Sequence, residues 1–475
     1  MGIKRIIMIS LIIMVSLLVV ACFNGGSSFN NLIGSSSTGG NNNFAVHIDT
    51  NGDDVFLSAL FDGNNYYISG FQEVNNTNSR YAIIKLDTSL NKVYTKYYYE
   101  SNNDGANLGL NSIWFNPTDS SKLFVGGWYY SDGIIGQVDK DTGDFTILKR
   151  YQGTGSLSII ADNGVLYGVS GDGYIIKASP NNLSIIGCKK IDGMAFGNIT
   201  INNNYIAVSH IDSQYQQLVI IKKDLTEARF FDISIDQPAL MDLNDNLYFI
   251  NNTGMNELTI SKIDISDLSN PHLVLAKKYS LVAHDANPIS ACFLNDGKIA
   301  IGITKLDDYP RNIVFLKINP TDLSISSKVK LSSVIGGSSY IFDKTMFPTL
   351  DGGFFASCSI SNNNDELTTG YALKMPSDFN YYNLSNNCVF NVSNVDITIE
   401  DYNYIINSTP ITLSDASLTE LNLPTLVEDT NINPFVGCLT PSPNTMNNRI
   451  NNINNTNINS DPLIQKIRRK KMNKN

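Results

Sequence analysis

Apolar positions in this chain come in short alternating runs separated by Asn, Asp and Gly, the period-two signature of β-strands joined by tight turns. The runs themselves recur. One unit comprises a short apolar strand, an Asn/Asp/Gly turn, a second strand rich in aromatics and Gly, a loop, and a third strand ending in Lys. The first two strands read FLSALFDGNNYYISG from Phe56, SIWFNPTDSSKLFVGG from Ser112, LSIIADNGVLYGVS from Leu157 and GNITINNNYIAVS from Gly197. They continue as PALMDLNDNLYFIN from Pro238, ISACFLNDGKIAIGI from Ile289 and TMFPTLDGGFFASCS from Thr345. The third strands AIIKLD, IIGQVD, YIIKAS, VIIKKD, TISKID, VFLKIN and YALKMP align Lys85, Gln137, Lys177, Lys222, Lys262, Lys317 and Lys374. A fourth strand such as KVYTKYYY, FTILKRY, LSIIGCKKI or HLVLAKKY follows most of them.

Seven such units lie between Phe44 and about Ser385, with a mean period of about 48 residues, which is a propeller-blade spacing. Each blade alone leaves both faces of its sheet apolar, and stacking seven around an axis buries them. The expected fold is therefore all-β: a seven-bladed β-propeller of four-stranded blades over 44–385, with a small β-rich C-terminal extension over 386–440. The run resembles bacterial lipoproteins and secreted proteins built from tandem β-propeller repeats, whose strand pair ending in Lys-Leu-Asp is matched by RYAIIKLD and its counterparts. That resemblance implies a propeller and export, and carries no single activity across. FAVHI, Phe44 to Ile48, precedes the first unit as fourth strands precede the later ones, so it is expected to be the outermost strand of blade seven and to close the ring. A lysine placed once per blade is structural, and its amine is expected in solvent or near a carboxylate.

At the N-terminus, Lys4 and Arg5 precede an apolar segment, Ile6 to Val20, which is short for a bilayer span and ends in small residues like an export signal. Val19-Val20-Ala21-Cys22 resembles a lipobox of bacterial lipoproteins, which implies that residues 1–21 are removed and Cys22 is diacylated. A plain secretory signal with a chance cysteine is the other reading. Residues 22–43, rich in Gly, Ser and Asn, form a flexible tether. The expected location is the bacterial cell envelope, anchored to a membrane through the acyl groups, with the outer membrane or cell surface preferred.

The chain has 475 residues, 16% of them charged, and a formal charge of −10; without Lys4, Arg5, Lys466, Arg468, Arg469, Lys470, Lys471 and Lys474 it is −18. Phosphate contacts need a basic face, so nucleic acid is not an expected partner. Cys188, Cys292 and Cys358 sit in apolar runs and read as small buried hydrophobes. Cys388 and Cys438 flank the C-terminal segment, and export permits them to form a disulfide. That segment is expected to supply a few strands or an extended cap. Residues 441–475, Asn-rich and then basic, read as a disordered tail.

In a four-stranded meander, the second-to-third and fourth-to-first connections emerge on one face. Here they are the longer ones, and binding usually resides in variable loops on a rigid scaffold. The candidate ligand-binding residues there are Trp128, Tyr129 and Tyr130, then His210 with Tyr215, then His284 and Asp285, and Asp307, Asp308 and Tyr309 with Arg311. For any one of them, loop packing is the competing reading. The four histidines show no ligand spacing, no CxxC occurs, and DTNGDD from Asp49 lacks the bidentate Glu of a Ca²⁺ loop, so neither metal nor cofactor is expected. VDKDTGDF from Val138 and the scarce arginines fit neither a quinone-dehydrogenase repeat nor a sialidase triad. The expected function is a binding or scaffold module for a protein or glycan at the envelope. A glycan- or ester-cleaving propeller enzyme and a purely structural envelope protein are the alternatives.

Overall fold

The computed structural model describes residues 43–48, 53–75, 78–100, 107–211, 216–234, 237–254, 257–281, 286–305, 312–333, 338–341, 345–361, 368–379, 390–422, 426–429 and 436–439. All belong to the unit Asn41–Asn475. The expected signal, tether and basic tail lie outside them. Among the described residues there is no helix, and the strands form seven antiparallel sheets that follow one another in chain order. First strands of neighbouring blades contact one another round the axis, and second, third and fourth strands step outward. Buried side chains sort into seven clusters, each in the seam between two adjacent blades, as stacking of two-sided apolar sheets requires.

Six blades have five strands, one more than the repeat predicts, and blade seven has six because its innermost strand is split into Ser338–Ile341 and Phe347–Pro348. The outermost strand comes from the C-terminal extension, which supplies strands as expected but one to every blade, and not a cap. Leaving blade seven, the chain winds back round the rim and adds Phe390–Ser393 to blade six, Ile397–Asp401 to five, Ser408–Ile411 to four and Ser414–Asp415 to three. It goes on to add Glu420–Asn422 to blade two, Leu426–Asp429 to blade one and Val436–Leu439 to blade seven. Every segment pairs antiparallel with the strand inside it. Apolar residues of this belt, within its strands and between them, drop into the seams: Val392, Val395 and Ile397, Tyr404 and Ile406, Ile411 and Leu413, Leu418, and Leu426. Asn43–Ile48 pairs with the third strand of blade seven, Ala45 opposite Leu373, as ring closure demands. It is not the outermost strand, because Val436–Leu439 covers its other edge.

Three devices bolt neighbouring blades. First, the repeated lysine is buried in blades one and six, where its amine is out of solvent but near a carboxylate, as the second of the two expectations had it: Asp141 at 3.5 Å from Lys85 and Asp296 at 2.8 Å from Lys317. Lys85 Nζ donates to the Lys140 carbonyl at 2.9 Å and Lys317 Nζ to the Ser377 carbonyl at 2.7 Å, each in the turn that follows the third strand of the next blade. Gln137 reaches Pro180 in the same way at 3.3 Å. Long side chains on a strand edge can cross the seam, and a free turn carbonyl is the acceptor waiting there. In blade four the position stays half-exposed and Lys222 pairs with Glu227 of its own blade.

Second, those turns hold a left-handed residue: Leu90, Leu183, Leu225, Leu323 and Phe379 all have φ between 55° and 64°. A non-glycine residue there costs about 1 kcal/mol, which burial of the side chain in the seam offsets. The left-handed residue's carbonyl faces the preceding blade: Tyr151 donates to Leu183 at 2.5 Å, Tyr279 to Leu323, and Tyr98 to Gly143 at 3.1 Å. Third, β-bulges in the first strands, at Phe56/Ser58, Leu110/Ser112 and Pro288/Ser290, turn a serine toward the next blade. The hydroxyls of Ser58, Ser112 and Ser290 accept the backbone N–H of Ile113, Ile159 and Met346.

Asp139 organises the turn of blade two. It accepts from Lys122 Nζ at 2.6 Å and from the N–H groups of Asp141 and Thr142. The lysine bond first, then the backbone bonds, lower its pKa from 3.8 to about 2. A carboxyl lowered on folding stabilises fully above its unfolded value, and the gain is lost as pH falls toward the folded one. Asp139→Asn is therefore expected to cost about 1 kcal/mol at neutral pH, and to flatten the fall in stability between about pH 4 and pH 2. Urea unfolding at three pH values checks it; an unchanged slope would contradict the assignment.

Candidate functional site

The described part of the long-loop face runs across blades two, three and four. Its second strands end there: Lys122–Tyr129 in blade two, Val165–Ser170 in blade three, Tyr205–Ile211 in blade four. Trp128 and Tyr129 are strand residues, not loop residues as expected. Tyr129 pairs with Asp132, leaving only Tyr130 and Ser131 as a tight hairpin turn, with Tyr130 at φ 53°. The Trp128 indole lies across Gly109, where a Cβ would come within 2.0 Å of the ring, so only glycine fits. It meets Phe71 edge-on at 5.4 Å and donates to the Asn107 side chain at 2.9 Å.

Tyr129 is buried, donates to Glu100 at 3.0 Å and carries the Arg150 guanidinium over its ring at 4.7 Å. Burial, and next the hydrogen bond to Glu100, push its phenol up to about 12. Of the three aromatics only Tyr130 presents a large exposed side chain.

The connections beside it are tied to one another. Arg150 Nε bonds Asp132 at 2.5 Å, and Asp132 also accepts the Gly153 N–H at 2.7 Å. Thr154, fully buried, accepts the Gly133 N–H at 2.9 Å through its hydroxyl, while its carbonyl accepts the Asp172 N–H at 3.2 Å. Gly155 donates to the Ser131 carbonyl at 3.0 Å and Gly171 to that of Ser156 at 3.1 Å. These bonds hold the turns of blades two and three in one fixed arrangement.

An open cleft of about 410 Å³ follows, between blades three and four, lined by Gly171, Asp172, Lys190, Gly193, Met194, Ala195 and His210. His210 is buried, with Nδ1 within 3.2 Å of the backbone N of Ala195. It thus shapes the cleft wall. Lys190 Nζ sits 4.8 Å above the Tyr174 ring and 3.7 Å from Asp192. The site offers one cation, one exposed carboxylate at Asp172, a thioether and backbone groups, a set suited to binding.

The structure places Trp128, Tyr129, Tyr130 and His210 on one face but in different blades, with blade three between them. Tyr215, His284, Asp285, Asp307, Asp308, Tyr309 and Arg311 lie outside the described residues, as does Cys388 and with it the expected bridge to Cys438. Asp172 and Lys190 went unremarked in the sequence. The signal for Asp172 is its repeat position, since Gly171-Asp172-Gly173 occupies the connection that Tyr130-Ser131 fills in blade two. Cys292 is buried and Cys188 half-buried in a fourth strand, where burial pushes its thiol up to about 11. Among the described residues no group of three His, Cys, Asp or Glu side chains could hold a metal ion.

The chain is thus a seven-bladed β-propeller whose blades are completed by a C-terminal belt. No protein-family model matches it, and no curated protein sequence does. Among solved structures it is similar to the WD40 β-propeller domain of Doa1, with 13% identity, a TM-score of 0.44 and coverage of 70% of this chain and 96% of that one. A chain of the mitotic checkpoint complex gives 11% identity, a TM-score of 0.48, and 69% and 90% coverage. The β-propeller domain of Cps50 (Swd1) from Myceliophteria thermophila gives 7%, 0.44, and 69% and 98%. At such identities the likeness concerns the fold and transfers no partner.

Proposed function

We propose that this protein is an exported, lipid-anchored binding scaffold whose long-loop face meets a protein or glycan partner at the cell envelope. The observation that carries the reading is the face across blades two to four. There, exposed Tyr130 and the cleft holding Asp172 and Lys190 stand on turns locked by the Thr154 and Asp132 bonds. Rigid presentation lowers the entropic cost of binding, and an aromatic beside charged groups suits a mixed polar and stacking contact. The lipobox at Cys22 and the tether supply the location.

The test uses whichever partner a pull-down from the native envelope recovers. Tyr130→Ala combined with Lys190→Ala is expected to weaken binding by about 2 kcal/mol, roughly thirtyfold, with unchanged circular dichroism. Trp128 and Tyr129 are unsuitable probes, because both pack against the body of the blade. On the opposite face a neutral control must avoid residues that bolt blades together, as Asn295 and Asp296 do through Thr349 and Lys317. Exposed Asn181→Ala is the better control. Loss of binding from Asn181 alone would reverse the assigned face.

Anchoring has its own test. Each buried methylene of an acyl chain contributes about 0.8 kcal/mol, so Cys22→Ala is expected to release the protein from the membrane fraction. A variant that still sediments with membranes after a salt wash would exclude the lipoprotein reading.

A further inference from the structure

The belt and the rim it covers are chemically complementary. Residues 386–440 contain seven acidic and no basic residues. The fourth strands beneath are rich in lysine, and ion pairs cross between the two layers. Lys96 meets Glu428 at 2.5 Å, Lys149 meets Glu420 at 2.6 Å and Lys189 meets Asp415 at 2.5 Å. Lys277 meets Asp401 at 2.7 Å and Lys278 meets Glu400 at 3.1 Å. Pairing is in strand register, with Lys277 opposite Asp401 and Lys189 opposite Asp415. Each belt strand is short, two to five residues, so no single segment holds strongly. Asp415 and Asp401 are almost fully exposed, and such pairs are individually weak.

The body beneath has a framework of its own, to which the belt adds apolar side chains at the seams. Its blades have four strands of their own, its seams carry the lysine, tyrosine and serine bolts, and the ring closes through Asn43–Ile48 on blade seven. We infer that the rim is an acceptor for an acidic extended strand, that the C-terminal belt is its occupant in cis, and that the belt of a second copy fits the same place. The belt joins the last propeller strand through residues 376–389, fourteen residues that reach roughly 46 Å when extended, enough for a neighbouring rim. A short tether favours the cis arrangement at low concentration, and exchange between copies follows when the cis pairing is weakened. The rim is distinct from the loop face, so this inference is independent of the binding role proposed there.

Complementary charge reversal of the full chain tests it. One variant carries Lys149→Glu, Lys189→Glu and Lys277→Glu on the rim; the other carries Glu420→Lys, Asp415→Lys and Asp401→Lys on the belt. Each repels its own belt, while the two together match in both directions. Light scattering is expected to show a monomer for each alone and a one-to-one heterodimer on mixing, with a dissociation constant that rises at least tenfold between low and high salt. Chains with all six changes restore the match in cis and are expected to remain monomeric when mixed with either.

Folded single-layer variants that stay monomeric together would overturn the inference. If either fails to fold, hydrogen exchange of the unmodified chain decides. The amides of Ile397–Asp401 and Ser408–Ile411 are expected to exchange at least tenfold faster than those of the third strands, by an opening that leaves the body protected. Equal protection of belt and body would show one cooperative unit and sink the idea.

Discussion

Deleting Phe44 to Ile48 is expected to lower the melting temperature by about 6 °C, whereas trimming residues 23–42 leaves it within about 1 °C. The strand is clasped on both sides, by Gly370–Leu373 within blade seven and by Val436–Leu439 of the belt. Its loss removes roughly five ladder hydrogen bonds worth about 1 kcal/mol each and opens an edge in the one blade assembled from three distant parts of the chain. Unfolding entropy of about 2.1 cal/mol/K per residue, over a body of some 400 residues, converts that loss into the stated shift. Differential scanning calorimetry of the two truncations decides. Equal melting temperatures would rule out the clasp.

The second large effect is expected at Lys317. Its ammonium is buried, donates to Ser377 at 2.7 Å, pairs with Asp296 at 2.8 Å and lies 6.0 Å from the Phe379 ring centre. Lys317→Ala leaves a carbonyl without its donor and a half-exposed carboxylate without its cation, costing about 3 kcal/mol. Lys222→Ala, at the equivalent repeat position in blade four, is expected to leave stability close to that of the wild type, because that lysine is half-exposed and pairs within its own blade. Asp296 reports on the same bond. Burial alone would raise its pKa, but the Lys317 hydrogen bond and charge hold it below 3.8. The wild type should therefore lose stability as pH falls below about 4, and Lys317→Ala should lose less over that range. Equal destabilisation by the two alanine variants would mean that the lysines serve no seam.

The blades were legible because their chemistry is local. Alternation of apolar and polar residues, Asn/Asp/Gly turns and seven repeats are properties of short stretches, and the sheets follow them closely. Third strands such as Asn312–Ile318 and second strands such as Val165–Ser170 stand where the repeat places them. The site was legible only as a face. Trp128 and Tyr129 look like loop aromatics until Gly109 admits the indole and Asp132 pairs back across a two-residue turn, and both facts depend on residues far along the chain. Asp172 and Lys190 come together only when blade three is stacked beside blade four.

What the sequence determined by itself is the architecture: a β-propeller of seven repeated sheets, with its two ends meeting in the last. Period and turn chemistry point to it, since seven consecutive sheets with two apolar faces bury both by stacking round an axis. The tertiary structure alone decided how the sheets are joined and finished. Whether a repeated lysine faces water or a neighbouring turn depends on the seam, so Lys85 and Lys317 are buried while Lys222 is not. Leu183 and Leu323 accept left-handed backbone only because the adjacent blade covers them. The belt's order, six to one and then seven, is absent from any local pattern. Alternation along the segment reads as a few strands but names no partner for them, and each piece of two to five residues finds its place only on the outer edge of a folded blade.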